Sequence, residues 1–334
     1  MKKKRILGLA TLGLFVTLAL GGCGKSIENT SVETFKATEN GYPVTINTYD
    51  QNGKEFKETF KEKPKRVVST NQTTTEIMLD LDLQDYLVGT AFMDSPILPR
   101  LEDKYKKMNV LSETYPSKES VLALNPDLII GWKSVFSDKN LGSVEAWNEK
   151  GVNTFIQRNS GIAKEQTLED VYEDIEDIGT IFNIEDKADK YVDNIEDRID
   201  KITEQTKEVK EPMKVLILEG EGENKYRVYG PKSLVSDMVL KAGGVNIAKD
   251  SGSVGIENII EMNPDAIVLI HYLMQNKDNK EENSLLENPA LRNVTAIKEN
   301  KIIYTPLAET YAGGVRTVDG IERIAKGLYP NLIK

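Results

Sequence analysis

One motif occurs twice in this chain, and it dictates two related halves. Glu119-Ser-Val-Leu-Ala-Leu-Asn-Pro126-Asp-Leu-Ile-Ile returns 138 residues later as Glu257-Asn-Ile-Ile-Glu-Met-Asn-Pro264-Asp-Ala-Ile-Val, and related segments, EKPKRVVST and KEPMKVLIL, precede the two copies. In each copy a short amphipathic stretch ends at a proline, because the residue before proline is pushed out of the α region. A continuous apolar run follows, Leu128–Ile130 in the first copy and Ala266–Ile270 in the second. Such runs suit strands buried on both faces of a parallel sheet. Strands alternating with helical stretches argue for α/β units. The first half has strand candidates at 66–70, 87–90, 128–131 and 154–157, and the second at 214–219, 227–229, 266–270 and 301–305. A length of 334 residues accommodates two such domains.

Between the halves lies a helical stretch from Thr167 to about Lys210. Thr167-Leu168-Glu169-Asp170 resembles a capping box, and Ala188, Tyr191, Val192, Ile195, Ile199 and Ile202 recur at helical spacing. About 25 residues at 1.5 Å each reach about 37 Å, enough to bridge two lobes. With no Gly/Ser hinge, this rod is expected to permit little closing motion. Near the start, Tyr42–Lys57 alternates around Asp50-Gln51-Asn52-Gly53, a hairpin signal. The fold class expected is therefore α/β, two small Rossmann-like lobes joined by a single long α-helix and preceded by a short β-hairpin. The segments are 41–165 for the first lobe with its hairpin, 166–211 for the connecting helical segment and 212–334 for the second lobe.

The first forty residues are of another kind. Lys2, Lys3, Lys4 and Arg5 precede an apolar run, Ile6–Leu20, which is short for a bilayer span but right for a signal-peptide core. Leu20-Gly21-Gly22-Cys23 closes it and resembles a lipobox; an ordinary signal peptide is the alternative. The reading is a signal peptide over 1–22, lipidation at Cys23, and a flexible polar tether over 23–40. Removing the leader takes Lys+Arg from 43 to 39 against 53 Asp+Glu, a net charge of −14. So acidic a chain is a poor nucleic-acid binder. One cysteine and one histidine leave no internal disulfide and no Cys/His zinc cluster.

A leader with a lipobox and two α/β lobes on one connecting helix resemble the substrate-binding proteins of ABC importers, more narrowly those for ferric siderophores, haem and cobalamin. Five blocks carry the likeness in order, from Lys63 to Pro330: KPKRVVSTNQTTTEIMLDLDLQDYLVGTA, YPSKESVLALNPDLIIGW, VYGPKSLVSDMVLKAGGVNIA, ENIIEMNPDAIVLI and YAGGVRTVDGIERIAKGLYP. The resemblance implies a ligand held between the lobes. It also implies docking to permease arginines through one acid on each lobe, here Glu119 and Glu257, with Glu76 and Asp237 as secondary candidates. An acid near a helix N-terminus is also favoured locally, so a purely structural role stays open for both.

Ligands of open α/β sheets sit beyond the carboxyl ends of the strands. Those ends nominate Asn71, Met93, Trp132 and Arg158 in the first half. In the second they nominate Tyr226, Arg227, Tyr229, His271, Tyr272, Tyr311 and Arg316. Aromatic walls and arginines suit a large, flat or anionic ligand. Bland alternatives remain: Trp132 packing on its lobe, Arg158 and Arg227 as solvated charges, His271 as a polar contact at the rim. Arg316 stands at a helix start, where the dipole disfavours a cation, which argues that something else keeps it there. The acidic stretch 219–223 is read as a solvated loop.

The function expected is extracytoplasmic capture of an iron(III)–siderophore complex and delivery to a permease and its ATPase. Cobalamin or another corrinoid, or haem, is the alternative ligand. A surface enzyme is disfavoured: there is no Gly-x-Ser-x-Gly elbow, and 219–223 is too acidic to cradle phosphate. Direct capture of a bare divalent metal is disfavoured by the single histidine. No cofactor or resident metal is expected. The chain is expected to be a monomer, anchored by lipid on the outer face of a Gram-positive cell membrane.

Overall fold

The computed structural model describes residues 41–271 and 280–333. The leader, Cys23, the tether and Tyr272 lie outside the described residues. The described residues begin with the expected hairpin, β1 (Val44–Tyr49) against β2 (Glu55–Phe60), closed by Asp50, whose carboxylate accepts from the backbone N–H of Asn52 and Lys54. The hairpin leans on the first lobe, Glu58 accepting from Asn148 and Asn153, and just before it Tyr42 Oη donates to the Ile181 carbonyl of the connecting segment at 2.6 Å.

The first lobe runs β3 (Val67–Ser69), α1 (Gln72–Asp80), β4 (Leu87–Ala91), α2 (Glu102–Tyr105), β5 (Val110–Ser112), α3 (Lys118–Ala123), β6 (Leu128–Gly131), α4 (Val144–Asn148) and β7 (Asn153–Ile156). Its strands form one parallel sheet in the order β5-β4-β3-β6-β7. Two helices follow, α5 (Leu168–Phe182) and α6 (Glu185–Thr206). The second lobe runs β8 (Lys214–Gly222), β9 (Lys225–Val228), α7 (Leu234–Lys241), β10 (Val245–Asn246), β11 (Gly252–Gly255), α8 (Ile256–Met262), β12 (Ala266–His271), α9 (Lys280–Glu287), α10 (Thr295–Lys298), β13 (Ile302–Pro306), α11 (Leu307–Thr310) and α12 (Thr317–Leu328). Here the order is β11-β9-β8-β12-β13, with β10 beside β8; β8, β10, β12 and β13 are parallel, and β9 runs antiparallel to both its neighbours, β8 and β11.

The repeated Asn-Pro-Asp is a staple. Asn125 and Asn263 end α3 and α8 in the left-handed region, at φ +44° and +39°. Asparagine tolerates that conformation better than most residues. The following aspartate then ties each helix–strand turn to the start of its lobe's first strand. Asp127 Oδ1 accepts from Arg66 N–H and Asp265 Oδ2 from Lys214 N–H, each at 2.9 Å, and both aspartate N–H groups donate back to the same residues' carbonyls.

The connecting segment is two helices, of which α6 makes the crossing. Asn183, left-handed at φ +53°, stops α5, and α6 starts two residues later. Near its N-terminus α6 is tied to the first lobe, Tyr191 Oη donating to Asp80 at 2.7 Å. Further along it is tied to the second, Arg198 pairing with Asp319 and Glu322 of α12 at 2.6 and 2.8 Å. A single apolar core joins Val67 and Ile77 of the first lobe, Ile175 and Ile199 of the helix pair, and Val215 and Ile324 of the second. The stretch 219–223 is a correction: residues 219–222 continue strand β8 and pair with β9, so Glu219 is buried and not a loop residue.

Candidate ligand cleft

In the first lobe the chain leaves β4 at Phe92 and β6 at Trp132, both at the carboxyl end of the sheet. The two rings meet edge to face with centroids 5.6 Å apart, and Phe92 meets Tyr115 in the same way at 5.0 Å. From the second lobe Tyr311 completes the row, its ring 5.1 Å from Trp132 and nearly perpendicular to it. Trp132 is held from behind: its Nε1–H donates to Thr73 Oγ1 at 3.1 Å, and that hydroxyl lies 2.6 Å from Gln157 Oε1. Edge-to-face contacts and an anchored indole make this a preformed wall.

Beside Tyr311 opens a cavity of about 430 Å³, lined by the hairpin residues Gln51 and Asn52, by Lys133, Ser134 and Ser160, and by Tyr311 itself. That volume falls within the range of about 300–1,000 Å³ usual for small-molecule sites. On the second-lobe side, Glu219 accepts from Tyr229 Oη and from half-exposed Arg227. Burial pushes the Tyr311 phenol up, and the charges of Arg227 and Glu219 both reach it, in opposite senses. Tyr311 therefore stays a neutral phenol and presents an O–H.

The loop carrying Tyr311 also clasps the lobes together. Ala312 forms a bridge with Asn159, and the Gly313 carbonyl accepts from Gln157 Nε2 at 3.1 Å. Arg316 reaches Glu76 of α1, with Nε 2.6 Å from Oε2, and donates to the Pro96 carbonyl at 2.6 Å. Both partners of that ion pair are buried, Glu76 to 1% exposure. Asp94 lies in the same pocket. Burial, reinforced by Glu76 and opposed by Arg316, pushes its carboxyl up to about 6.

The nominated residues thus separate. Tyr311 lines the cavity, Trp132, only 5% exposed, backs it through its ring contact with Tyr311, and Arg227 and Tyr229 meet at Glu219, whose charge reaches Tyr311. Met93 follows Phe92 in the chain, and no contact among the described residues places it at the cavity. Arg158 is buried and committed to Asp174 and Asp177 at 2.7 Å and Glu173 at 3.0 Å, so it is neither solvated nor open to a ligand. Tyr226 is fully buried in the second lobe's outer core, its hydroxyl 2.8 Å from Ser284 Oγ. Arg316 is committed to Glu76. Asn71 caps α1 through its carboxamide oxygen, and among the described residues its buried Nδ2 has no hydrogen-bond partner. His271 ends β12 beside the Tyr304 ring, 6.4 Å away.

Glu119 and Glu257 are both exposed in the first turns of α3 and α8, and among the described residues neither forms an ion pair. Their secondary counterparts are engaged elsewhere: Glu76 with Arg316, and Asp237 with the Leu168 N–H at 2.9 Å. Sequence reasoning missed Tyr115, Glu219 and the hairpin tip. Glu219 carried a usable signal, an acid at the end of the apolar run Val215–Leu218.

Comparison with known proteins agrees with this architecture. The chain is 26% identical over its full length to the uncharacterized ABC transporter substrate-binding lipoprotein YvrC of Bacillus subtilis, itself covered in full. It is also 26% identical to the petrobactin-binding protein YclQ of the same organism, over 94% of each chain. Among solved structures, a periplasmic binding protein from Veillonella parvula superposes with a TM-score of 0.78 at 30% identity, over 87% of this chain and 92% of that one. Residues 67–308, from the first strand of one lobe to the last of the other, match the family model described as periplasmic binding protein, and the chain belongs to that family of binding proteins, which are not enzymes.

Proposed function

We propose that this protein, the substrate-binding component of an ABC importer, captures an iron(III)–siderophore complex against the aromatic row in which Tyr311 faces the cavity and buried Trp132 backs it. One observation carries the reading: the row Tyr115–Phe92–Trp132–Tyr311 crosses from one lobe to the other, with Lys133 lining the cavity and half-exposed Arg227, itself paired with Glu219 and Glu221, as the second-lobe cation whose charge reaches Tyr311. Aromatic faces supply contact area for a large chelate, and the cations suit its anionic oxygens. The relation to YclQ, named for petrobactin binding, supports the ligand class. The relation to YvrC, named a lipoprotein, supports lipid attachment at Cys23 and work outside the membrane. Exposed Glu119 and Glu257, neither of which forms an ion pair among the described residues, are the acids that meet the permease.

Fluorescence titration of the mature protein tests the ligand. A ferric siderophore from a panel of hydroxamates and catecholates quenches the emission at micromolar concentration or below, and Trp132→Ala weakens that binding at least tenfold, as loss of a central aromatic anchor does. Saturable binding of haem or cobalamin alone would replace the siderophore reading, and silence across the panel would end it.

A further inference from the structure

We infer that an aliphatic side chain beside each docking acid, Leu122 on α3 and Ile260 on α8, anchors the same permease contact, so that each lobe presents a paired acid and apolar knob. The inference rests on the importer reading above and specifies its surface. The two copies of the repeat correspond position by position: Glu119 with Glu257, Val121 with Ile259, Leu122 with Ile260. Val121 and Ile259 point into their lobes and are fully buried, whereas Leu122 and Ile260 are each 43% exposed.

Residues three apart on a helix are neighbours, so each knob lies beside its acid on the outward side. A single exposed leucine needs no explanation. An exposed aliphatic side chain at both equivalent positions, each beside an exposed carboxylate that forms no ion pair among the described residues, does. α3 and α8 hold corresponding places, each leading into the strand beside its lobe's first one, β6 next to β3 and β12 next to β8. A permease with two-fold pseudo-symmetric sockets, each basic with an apolar floor, matches both copies at once. The mature chain's charge of −14 complements such a surface. Leu240 supplies the contrast: it is 64% exposed, but the acid three residues before it, Asp237, is held by the Leu168 N–H.

In-cell photo-crosslinking of the full lipidated chain tests this. A benzoylphenylalanine at position 122 or 260 should capture one and the same polytopic permease, and one at position 240 should not. The yield from position 122 should fall roughly tenfold with Ile260→Ser, as it does with Glu257→Gln, because loss of a central interface anchor commonly weakens binding by that factor. A yield that falls with Glu257→Gln but not with Ile260→Ser overturns the apolar anchor and leaves acid docking standing. A yield indifferent to both changes, or capture of some other protein, overturns the docking surface itself. All these positions are exposed, and retained quenching by the ferric siderophore checks that each variant is folded.

Discussion

At the scale of single residues, the seam between the lobes holds more negative charge than it can neutralise. Glu76 and Asp94 share one guanidinium, Arg316, with Gln72 and Ser95 as the other polar neighbours. Asp94 is 4% exposed, and its Oδ1 has no hydrogen-bond partner among the described residues. Its carboxyl titrates near 6 in the fold, against 3.8 for the free side chain. Between those values the folded protein binds the extra proton, so this group's contribution to stability falls as pH rises from about 4 to 6, then levels. Asp94→Asn removes the charge and keeps the shape. It should stabilise the protein above pH 6 by about 1–3 kcal/mol, and have little effect near pH 4. Urea unfolding of both proteins at pH 4.5 and 7 reads the difference; an equal shift at the two pH values would refute the assignment. Arg316 shows why this seam was hidden. A cation placed against the helix dipole was a sound sign of a special partner, but Glu76 stands 240 residues away and nothing local points to it. Arg158 is the opposite case, its three acids lying 15 to 19 residues downstream on α5.

At the scale of elements, the loop 311–316 does two jobs that the sequence pattern did not separate. Its first residue faces the cleft and its last closes the lobe seam. Gly313 allows the turn between them. It has φ +76°, and a Cβ there would lie 2.3 Å from Val171 Cγ2 of α5. Gly313→Ala should therefore destabilise by more than the cost of a left-handed alanine alone, about 2–4 kcal/mol in all. Gly53→Ala in the hairpin turn is the control, because φ is +83° there but nothing lies within 4 Å of the added carbon. Its cost should be about 1 kcal/mol. Equal denaturation midpoints for the two variants would show that the clasp tolerates repacking. The long buried strands and the repeat were legible because their signals are local and periodic. β5, β10 and β11 were not, at two to four residues each. The α5–α6 break was missed because a lone asparagine within good helix formers is a weak stop. Strand alternation could have sorted Tyr226 from Arg227 and Tyr229, since successive residues face opposite sides and Tyr226 takes the core side with Val228.

At the scale of the molecule, the question is whether ligand capture needs the lobes to move. Three features oppose movement, and they act together. The apolar core runs without interruption from one lobe through α5 and α6 into the other. α6 is pinned to one lobe at Tyr191, by Asp80, and to the other at Arg198, by Asp319 and Glu322. The clasp adds a buried ion pair, and stripping one partner from such a pair typically costs about 3–5 kcal/mol. Opening the seam would break that pair and expose the shared core, and a small ligand would have to repay both. The aromatic wall instead already spans the lobes, so binding can proceed with little reorganisation. Spin labels on Lys139→Cys and Lys249→Cys, exposed sites on opposite lobes, measure this directly. A chain starting after Cys23 contains no other cysteine to label. Saturation with the ferric siderophore should move the interlabel distance by about 1 Å or less, the shift usual for preorganised sites. A contraction of several ångströms would mean that the clasp yields on binding, and that the lobes close as hinged jaws.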